Sequence, residues 1–336
     1  MTLPIGCHVS ASGGVWNAPK NAFDLKCETF QIFTRPPMGG PAPKLPDEIV
    51  EKFKTEMDKY YPLHKPPLPA SLHSTGSGHA LEKGRRTADT PSLAKEGVGG
   101  VEFVVHCPYF INFGSAKKTT YHGSISVVSE ELKRANLLGA KYVMTHLGSF
   151  KDLGQTAGMK QAKEGLKKVL EKYEADPSTT PRTRFLLEIS AGQGETIGDT
   201  FEELAELMEG LVKYKTFGGI CFDTQHAFSS GYDLRDATSI SKTFKEFDKV
   251  IGLKWLKMSH INDSKVELGG KKDRHEHIGE GKIGKKGFEA LLEYLSSPPS
   301  LLKRGQGELP LILETEHDKV KVDLQILKKL RDKTQK

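Results

Sequence analysis

A carboxylate and an imidazole stand three residues apart in Cys221-Phe222-Asp223-Thr224-Gln225-His226. If the chain turns into a helix there, the two side chains share one side, and a single strand end offers two metal ligands. The pair also fits a plainer description, an acidic helix cap followed by a buried histidine. The other acids and histidines bear on that choice. His106 and His146 each end an apolar run, and Glu188 ends another. Asp223 ends the next, with His226 just beyond. His260 ends a further run and is followed by Asp273 and His275, and Glu314 lies in the last one. Nine His, Asp and Glu residues thus sit at or just past the ends of six successive apolar segments.

Five imidazoles and four carboxylates without a thiolate suit zinc best, with manganese or iron as alternatives at one site. Nine ligands are too many for one ion. If Glu188 is shared between two ions, the set supplies about ten bonds, against about twelve for three four-coordinate ions. The shortfall leaves places for a hydroxide and for substrate oxygens. Four bare carboxylates gathered in one place would repel each other and desolvate badly. Three divalent ions reverse the sign and leave a net charge of about +2. Such a site favours an anionic, phosphate-like transition state.

The elements that must position these residues alternate. Eight apolar runs read as strands: Ile5–Val9, Thr29–Thr34, Glu102–Cys107, Tyr142–Leu147, Arg184–Ile189, Gly218–Thr224, Trp255–Ile261 and Leu309–Thr315. Most are continuously apolar, as strands buried on both faces should be. Between and after them, helical spacing runs through Val15–Lys26, Pro46–Tyr61, His122–Leu138, Gly158–Glu174, Thr200–Val212, Ser239–Ile251, Lys285–Leu295 and Val320–Arg331. Eight strand–helix units predict a (β/α)8 TIM barrel in one domain over residues 1–336, with a doubly wound open sheet as the competing architecture. Pro62–Gly100, rich in Pro, Gly, Ser, Lys and His, reads as a flexible insertion between the second helix and the third strand. Asp176–Thr183 and Ser296–Glu308 are shorter irregular stretches. All three fall between a helix and the next strand, the face of a barrel away from its chemistry. His64, His73 and His79 are therefore not assigned to the site.

Composition sets outer limits. The chain has 336 residues, 37% of them hydrophobic, and a net charge of +6, a mild excess that permits a polyanionic partner. Cys7, Cys27, Cys107 and Cys221 are scattered without a CxxC pair, which argues against a disulfide framework and for a reducing compartment. The first ten residues lack the basic start and apolar core of a secretory leader, and no apolar run reaches the ~20 residues of a membrane span. An intracellular protein without a membrane partner is expected, in the nucleus or mitochondrion if its source is eukaryotic and in the cytoplasm otherwise.

At these residues the sequence resembles endonuclease IV, the zinc-dependent apurinic/apyrimidinic endonuclease. The likeness begins at Gly6-Cys7-His8-Val9-Ser10-Ala11-Ser12-Gly13-Gly14 and continues through Leu187-Glu188-Ile189-Ser190-Ala191-Gly192-Gln193-Gly194 and Phe222-Asp223-Thr224-Gln225-His226-Ala227. It returns at His260-Ile261-Asn262-Asp263-Ser264-Lys265, at Asp273-Arg274-His275-Glu276-His277-Ile278-Gly279-Glu280-Gly281 and at Leu311-Ile312-Leu313-Glu314-Thr315. The resemblance implies three zinc ions per chain. His106, His146 and Glu188 would hold the first, Glu188, Asp223, His260 and Glu314 the second, and His226, Asp273 and His275 the third. Glu188 and Glu314 are the acids assigned to catalysis. The implied reaction is hydroxide-driven hydrolysis of the phosphodiester 5′ to an abasic site, leaving a 3′-hydroxyl and a 5′-deoxyribose phosphate. Removal of blocked 3′ ends is the implied second activity. The partner would be double-stranded DNA carrying abasic sites or blocked 3′ ends, bound by a monomer.

The resemblance also implies residues that enter the duplex from the loops after strands two and three. Tyr109 and Phe110 match the apolar wedge. The loop after strand two, Arg35-Pro36-Pro37-Met38-Gly39-Gly40-Pro41, departs from the family pattern and carries Arg35 as its one charge before Lys44. Phosphate contacts are expected from Arg35, Lys265, Arg274 and Lys282, with Lys271, Lys272, Lys285, Lys286, Lys117 and Lys118 nearby. Gly279-Glu280-Gly281-Lys282-Ile283-Gly284 fits GxGxxG but does not follow directly from a strand. It reads instead as a tight loop whose N–H groups could meet a DNA phosphate. His8 reads as a supporting residue and not a ligand. Two other classes remain open, a barrel sugar isomerase or epimerase and a non-catalytic, zinc-holding DNA-damage binder.

Overall fold

The computed structural model describes residues 3–62, 100–177, 180, 182–297 and 307–334. Eight strands, β1 (Ile5–His8), β2 (Phe30–Ile32), β3 (Phe103–His106), β4 (Tyr142–Thr145), β5 (Arg184–Glu188), β6 (Phe217–Asp223), β7 (Leu256–His260) and β10 (Leu311–Leu313), close into one barrel. Every neighbouring pair is parallel, and β10 fits between β7 and β1. The expected barrel is therefore the observed one, and the open sheet is excluded by the β1–β10 pairing. The strands are shorter than their apolar runs, most clearly at β2 and β10, because pairing stops before the flanking residues bend into loops.

Helices α1 (Ala18–Asp24), α2 (Asp47–Tyr60), α3 (Lys118–Leu138), α4 (Gln155–Glu174), α5 (Phe201–Glu209), α7 (Ala237–Val250), α8 (Gly284–Ser296) and α9 (Val320–Thr334) follow the barrel strands in order. A short extra helix, α6 (Thr224–Ser230), leaves the end of β6 directly. The expected helix from Val15 opens as a 3-10 turn, Val15–Asn17, before α1. The flexible insertion expected over 62–100 lies almost wholly outside the described residues, as do His64, His73 and His79. Among the described residues, no helix is long and apolar enough to cross a membrane. All four cysteines are free and buried.

Alternation along each strand splits the barrel into two layers. Side chains such as Phe30, Phe103, Val105, Val143, Leu187 and Phe222 face the helices. Val104, Tyr142, Met144, Leu186, Cys221, Met258 and Ile312 form a separate buried cluster inside the barrel. This cluster is the floor of the site. Two residues after a floor residue, on each of six strands, comes a candidate ligand: Val104 then His106, Met144 then His146, Leu186 then Glu188. The pattern repeats with Cys221 then Asp223, Met258 then His260, and Ile312 then Glu314.

Strand β6 needs a correction to keep that phase. Its pairing with β5 shifts register after Phe185, so that Phe185 faces Phe217 but Leu186 faces Gly219. Gly218 is the extra residue, and Gly219 has φ 137°, a left-handed conformation that favours glycine. A one-residue slip exchanges the two faces of a strand. The bulge therefore turns Cys221 and Asp223 inward, with Asp223 beside His260 in the register with β7. Leu186→Ala should cost about 2–5 kcal/mol of stability by opening a cavity in the floor. Urea unfolding at fixed zinc would measure this, and a loss below ~1 kcal/mol would contradict a packed floor.

Candidate metal centre

Glu188 is fully buried at the centre of the mouth. Its Oε2 lies 3.3 Å from His106 Nε2 and 3.4 Å from His146 Nε2. Its Oε1 lies 2.7 Å from His260 Nδ1. One carboxylate thus faces two separate ligand groups, one oxygen to each. His260 Nδ1 also lies 3.2 Å from Glu314 Oε2 and 3.8 Å from Asp223 Oδ2. Asp273 Oδ1 stands 3.3 Å from His226 Nε2 and 3.4 Å from His275 Nε2. The nine candidates therefore come together in three groups. Asp223 Oδ2 is as near to His275 Nε2, 3.8 Å, as it is to His260, so it lies between the second group and the third.

The local chemistry at Asp223 shows the helix cap and leaves an oxygen that could take a metal ion. Asp223 Oδ1 accepts the N–H of His226 at 2.8 Å and caps α6, which Gly231 ends with φ 116°. Asp223 Oδ2 remains for the site and accepts a hydrogen bond from Asn262 Nδ2 at 2.8 Å. The same Asn262 accepts the backbone N–H of Glu314 through Oδ1 at 2.8 Å. His226 donates Nδ1–H to the carbonyl of Ile189 at 2.9 Å, and His106 turns Nδ1 to the carbonyl of Cys107. Both rings then point Nε2 into the mouth.

Four buried side-chain polar atoms of this group lack a hydrogen-bond partner of good geometry among the described residues: His106 Nε2, Glu188 Oε2, His226 Nε2 and His275 Nε2. Orphaned buried polar atoms are costly and rare. Four of them converging on one space fit divalent metal ions, which would satisfy all four. Cys221, which sequence reasoning left aside, also lies near Glu188 and His260. Burial pushes its thiol up to about 12, so without metal it stays neutral at neutral pH.

Charge within the metal-free site is shared as protons. Burial opposes a charged His226, but Asp223 and Asp273 outweigh it and hold its pKa well above the ordinary value. His260 is raised in the same way against burial, with the carboxylates Glu314 and Glu188 among the raising partners, and His146 is raised chiefly by Glu188. Burial likewise opposes a charged Glu188, yet His260, His146 and His106 hold it well below the usual carboxylate range.

The residues expected to touch DNA divide. Tyr109 and Phe110 are large and exposed, 48% and 40%, beside the site. Tyr109 stands over His106, with ring centroids 5.6 Å apart, and lines a cavity of about 270 Å³ with Lys265, Arg274 and the ligands. Lys282 is exposed but ion-paired with Glu267 at 2.6 Å. Arg35 is a correction. It is only 7% exposed, and its guanidinium is held by Glu131 at 2.6 Å and Glu130 at 2.8 Å, so it anchors the loop after β2 to α3. The glycine loop is a second correction. The N–H groups of Gly279, Gly281, Ile283 and Gly284 donate to the carboxylate of buried Asp263, and this spends them within the fold.

Sequence reasoning also missed a two-stranded hairpin, β8 (Asp263–Ser264) with β9 (His275–Glu276), in the loop after β7. It holds the Asp273–His275 arm over the mouth. Two-residue strands carry no readable period. Asn262 and Gln31 were missed as well. A buried amide two residues past His260, or inside a strand, was the available signal.

Residues 92–299 match a family model described as a xylose isomerase-like TIM barrel, and fold and mouth together place the chain in that class. A protein of Nitrosopumilus maritimus (strain SCM1) named "Probable endonuclease 4" is 33% identical over 98% of this chain and 99% of its own length. One of the same name from Methanoculleus marisnigri is 34% identical over 98% of each. The crystal structure of endonuclease IV from Thermus thermophilus superposes with a TM-score of 0.72 at 26% identity, over 98% of this chain and 99% of that one. The chain belongs to the endonuclease IV family.

Raised histidines must lose protons before they can ligate. Zinc added to the metal-free protein at pH 7 should therefore release protons, and its affinity should weaken as pH falls from about 8 to 6. Calorimetry in buffers of different ionisation enthalpy would count the protons. An affinity unchanged across that range would contradict the assignment.

Proposed function

We propose that this protein is a hydrolytic endonuclease of DNA repair that cuts the phosphodiester 5′ to abasic sites. The products would be a 3′-hydroxyl and a 5′-deoxyribose phosphate, and the same site would clear blocked 3′ ends. The observation that carries this reading is the convergence of nine candidate ligand side chains, four of them with an orphaned atom, at the mouth of a barrel in this family. His106, His146 and Glu188 would hold one zinc, Glu188, Asp223, His260 and Glu314 a second, and His226, Asp273 and His275 a third. Bound there, the ions would activate water and neutralise the phosphoryl oxygens.

The chain's own residues do the rest. Glu188 spans two ligand groups and so fixes the distance between them. The buried floor keeps water from entering below, so charge on the phosphate is met by ligands and not by bulk solvent. Lys265 and exposed Arg274 on the rim would take flanking phosphates. Met38, at 81% exposure, joins Tyr109 and Phe110 as an apolar tip beside the mouth, and Tyr109 N–H donates to Pro37 O at 3.0 Å across the two loops. Exposed apolar groups of this size suit insertion between bases, which unstacks cheaply where a base is missing. Met38 offers an apolar probe where the loop lacks a basic one. The pairing of the first barrel strand with the last supports one domain over 1–336. A sugar isomerase would use one or two ions and leave His226, Asp273 and His275 without a task.

A duplex with a single tetrahydrofuran abasic analogue tests the reading. The wild type should incise it 5′ to the lesion, and chelation should stop it. Glu188→Gln should lower the rate by about 10³-fold or more, as removal of a preorganised electrostatic group does. Metal-dependent isomerisation without incision, or tight DNA binding without any cleavage, would select one of the other classes. Lys265→Ala and Arg274→Ala should each weaken binding with little change in sequence preference. Each should reduce the slope of log K against log salt by about 0.9, and an unchanged slope would remove that residue from the interface.

A further inference from the structure

Gln31 breaks the rule of the barrel floor. It lies on β2 in register with Val104 on one side and His8 on the other, where six of the other strands supply the apolar floor. It is fully buried, and its amide touches three groups of the mouth. Nε2 donates to Glu314 Oε1 at 2.6 Å and to His8 Nδ1 at 3.1 Å. Oε1 lies 2.7 Å from His260 Nε2. A buried amide is costly when its partners are missing; here both N–H groups and the oxygen are engaged, which fixes the orientation of the amide and of the groups it touches.

We infer that Gln31 is a positioning residue that sets the tautomer of His260 and the orientation of Glu314, and so prepares two ligands of one zinc together. The inference rests on the metal reading above. Its logic is a chain of donors and acceptors. A carboxylate only accepts, so the NH2 of Gln31 must face Glu314. The amide oxygen must then face His260 and can only accept from it. His260 therefore keeps a proton on Nε2, and once it gives up the Nδ1 proton that it shares with Glu188, the Nδ1 lone pair is left for metal. Nδ1 is the atom that meets Glu188, Glu314 and Asp223.

The same bond fixes Glu314. With Oε1 held by Gln31, Oε2 is the oxygen turned to the site, 3.2 Å from His260 Nδ1. The second N–H of Gln31 is taken by His8, whose Nδ1 must accept. Burial keeps His8 neutral by pushing its pKa down to about 3, which suits that role. His106 and His226 have their tautomers set by backbone carbonyls. His260 relies on a side chain, so its tautomer is open to substitution.

The test is a zinc titration of the full chain against a chromophoric chelator, with wild type, Gln31→Met and Gln31→Glu. Met keeps length and volume and removes every hydrogen bond. Glu keeps an acceptor for His260 but cannot donate to Glu314, which it also repels. Both variants should lose about 10–100-fold in affinity at one of three sites and keep the other two, as loss of a ligand's hydrogen-bond partner does elsewhere. Incision measured at limiting zinc should fall in step and recover in excess zinc. In the zinc-loaded wild type, 15N spectra should show His260 protonated at Nε2, and in the Met variant that signal should weaken or shift. Wild-type affinity at all sites in both variants would overturn the inference, and so would an equal loss at all three, which marks a general loosening of the fold. If one variant does not fold, the other is read alone by the same criteria. Failure of the wild type itself to bind three ions would instead remove the metal reading beneath it.

Discussion

Taking a carboxylate out of water costs several kcal/mol unless other charges replace the solvent. Glu188 is fully buried and has an oxygen without a hydrogen-bond donor. Much of the upper barrel can be understood as the answer to that cost. Three imidazoles stand within 3.4 Å of its two oxygens, and each is aimed by a partner or a strand end that it does not choose itself. The bulge at Gly218 and Gly219 exists on the strand that must bring Asp223 into the same space. Glu188 helps hold the pKa values of His146 and His260 above their ordinary value, and metal ions bound there would supply the compensating charge in place of protons. The site is thus a charge problem with two solutions, and the scaffold accommodates both.

The loops on the rim answer a different constraint. They pair buried charge within the fold, and so hold exposed groups at fixed places. Arg35 shows how. Its guanidinium, tied to Glu130 and Glu131 on α3, roots the loop that lifts Met38 into solvent. Asp263 does the same work across the barrel, where one carboxylate gathers four backbone N–H groups and stiffens the turn that follows the hairpin. Arg35 and the glycine loop look like ligands for phosphate in the chain; in the fold they are tied inward and brace the loops around them.

How much of this was legible follows from the same distinction. Strands buried on both faces announce themselves as apolar runs, and a titratable residue at the end of such a run is conspicuous. That is why His106, His146, Glu188, Asp223, His260 and Glu314 could be read directly, and why a two-residue phase from the floor to each ligand is visible once the strands are aligned. Arg35 could not be resolved, because a basic residue bonded to acids about 95 positions away looks the same in sequence as one facing solvent. Gln31 hid for the opposite reason. A neutral amide inside a strand gives no charge signal, and its three partners come from positions 8, 260 and 314. The β8–β9 hairpin is too short for any period to register.

The place of β10 in the barrel bears on how the site is completed. This strand inserts between the first strand and the seventh, and it delivers Glu314. The elements before it in the chain supply eight of the nine candidate ligands, and β10 both closes the ring and supplies the ninth. Without it the second metal group lacks a member, and the mouth lacks a wall. The second candidate group is therefore complete only when the ring is closed.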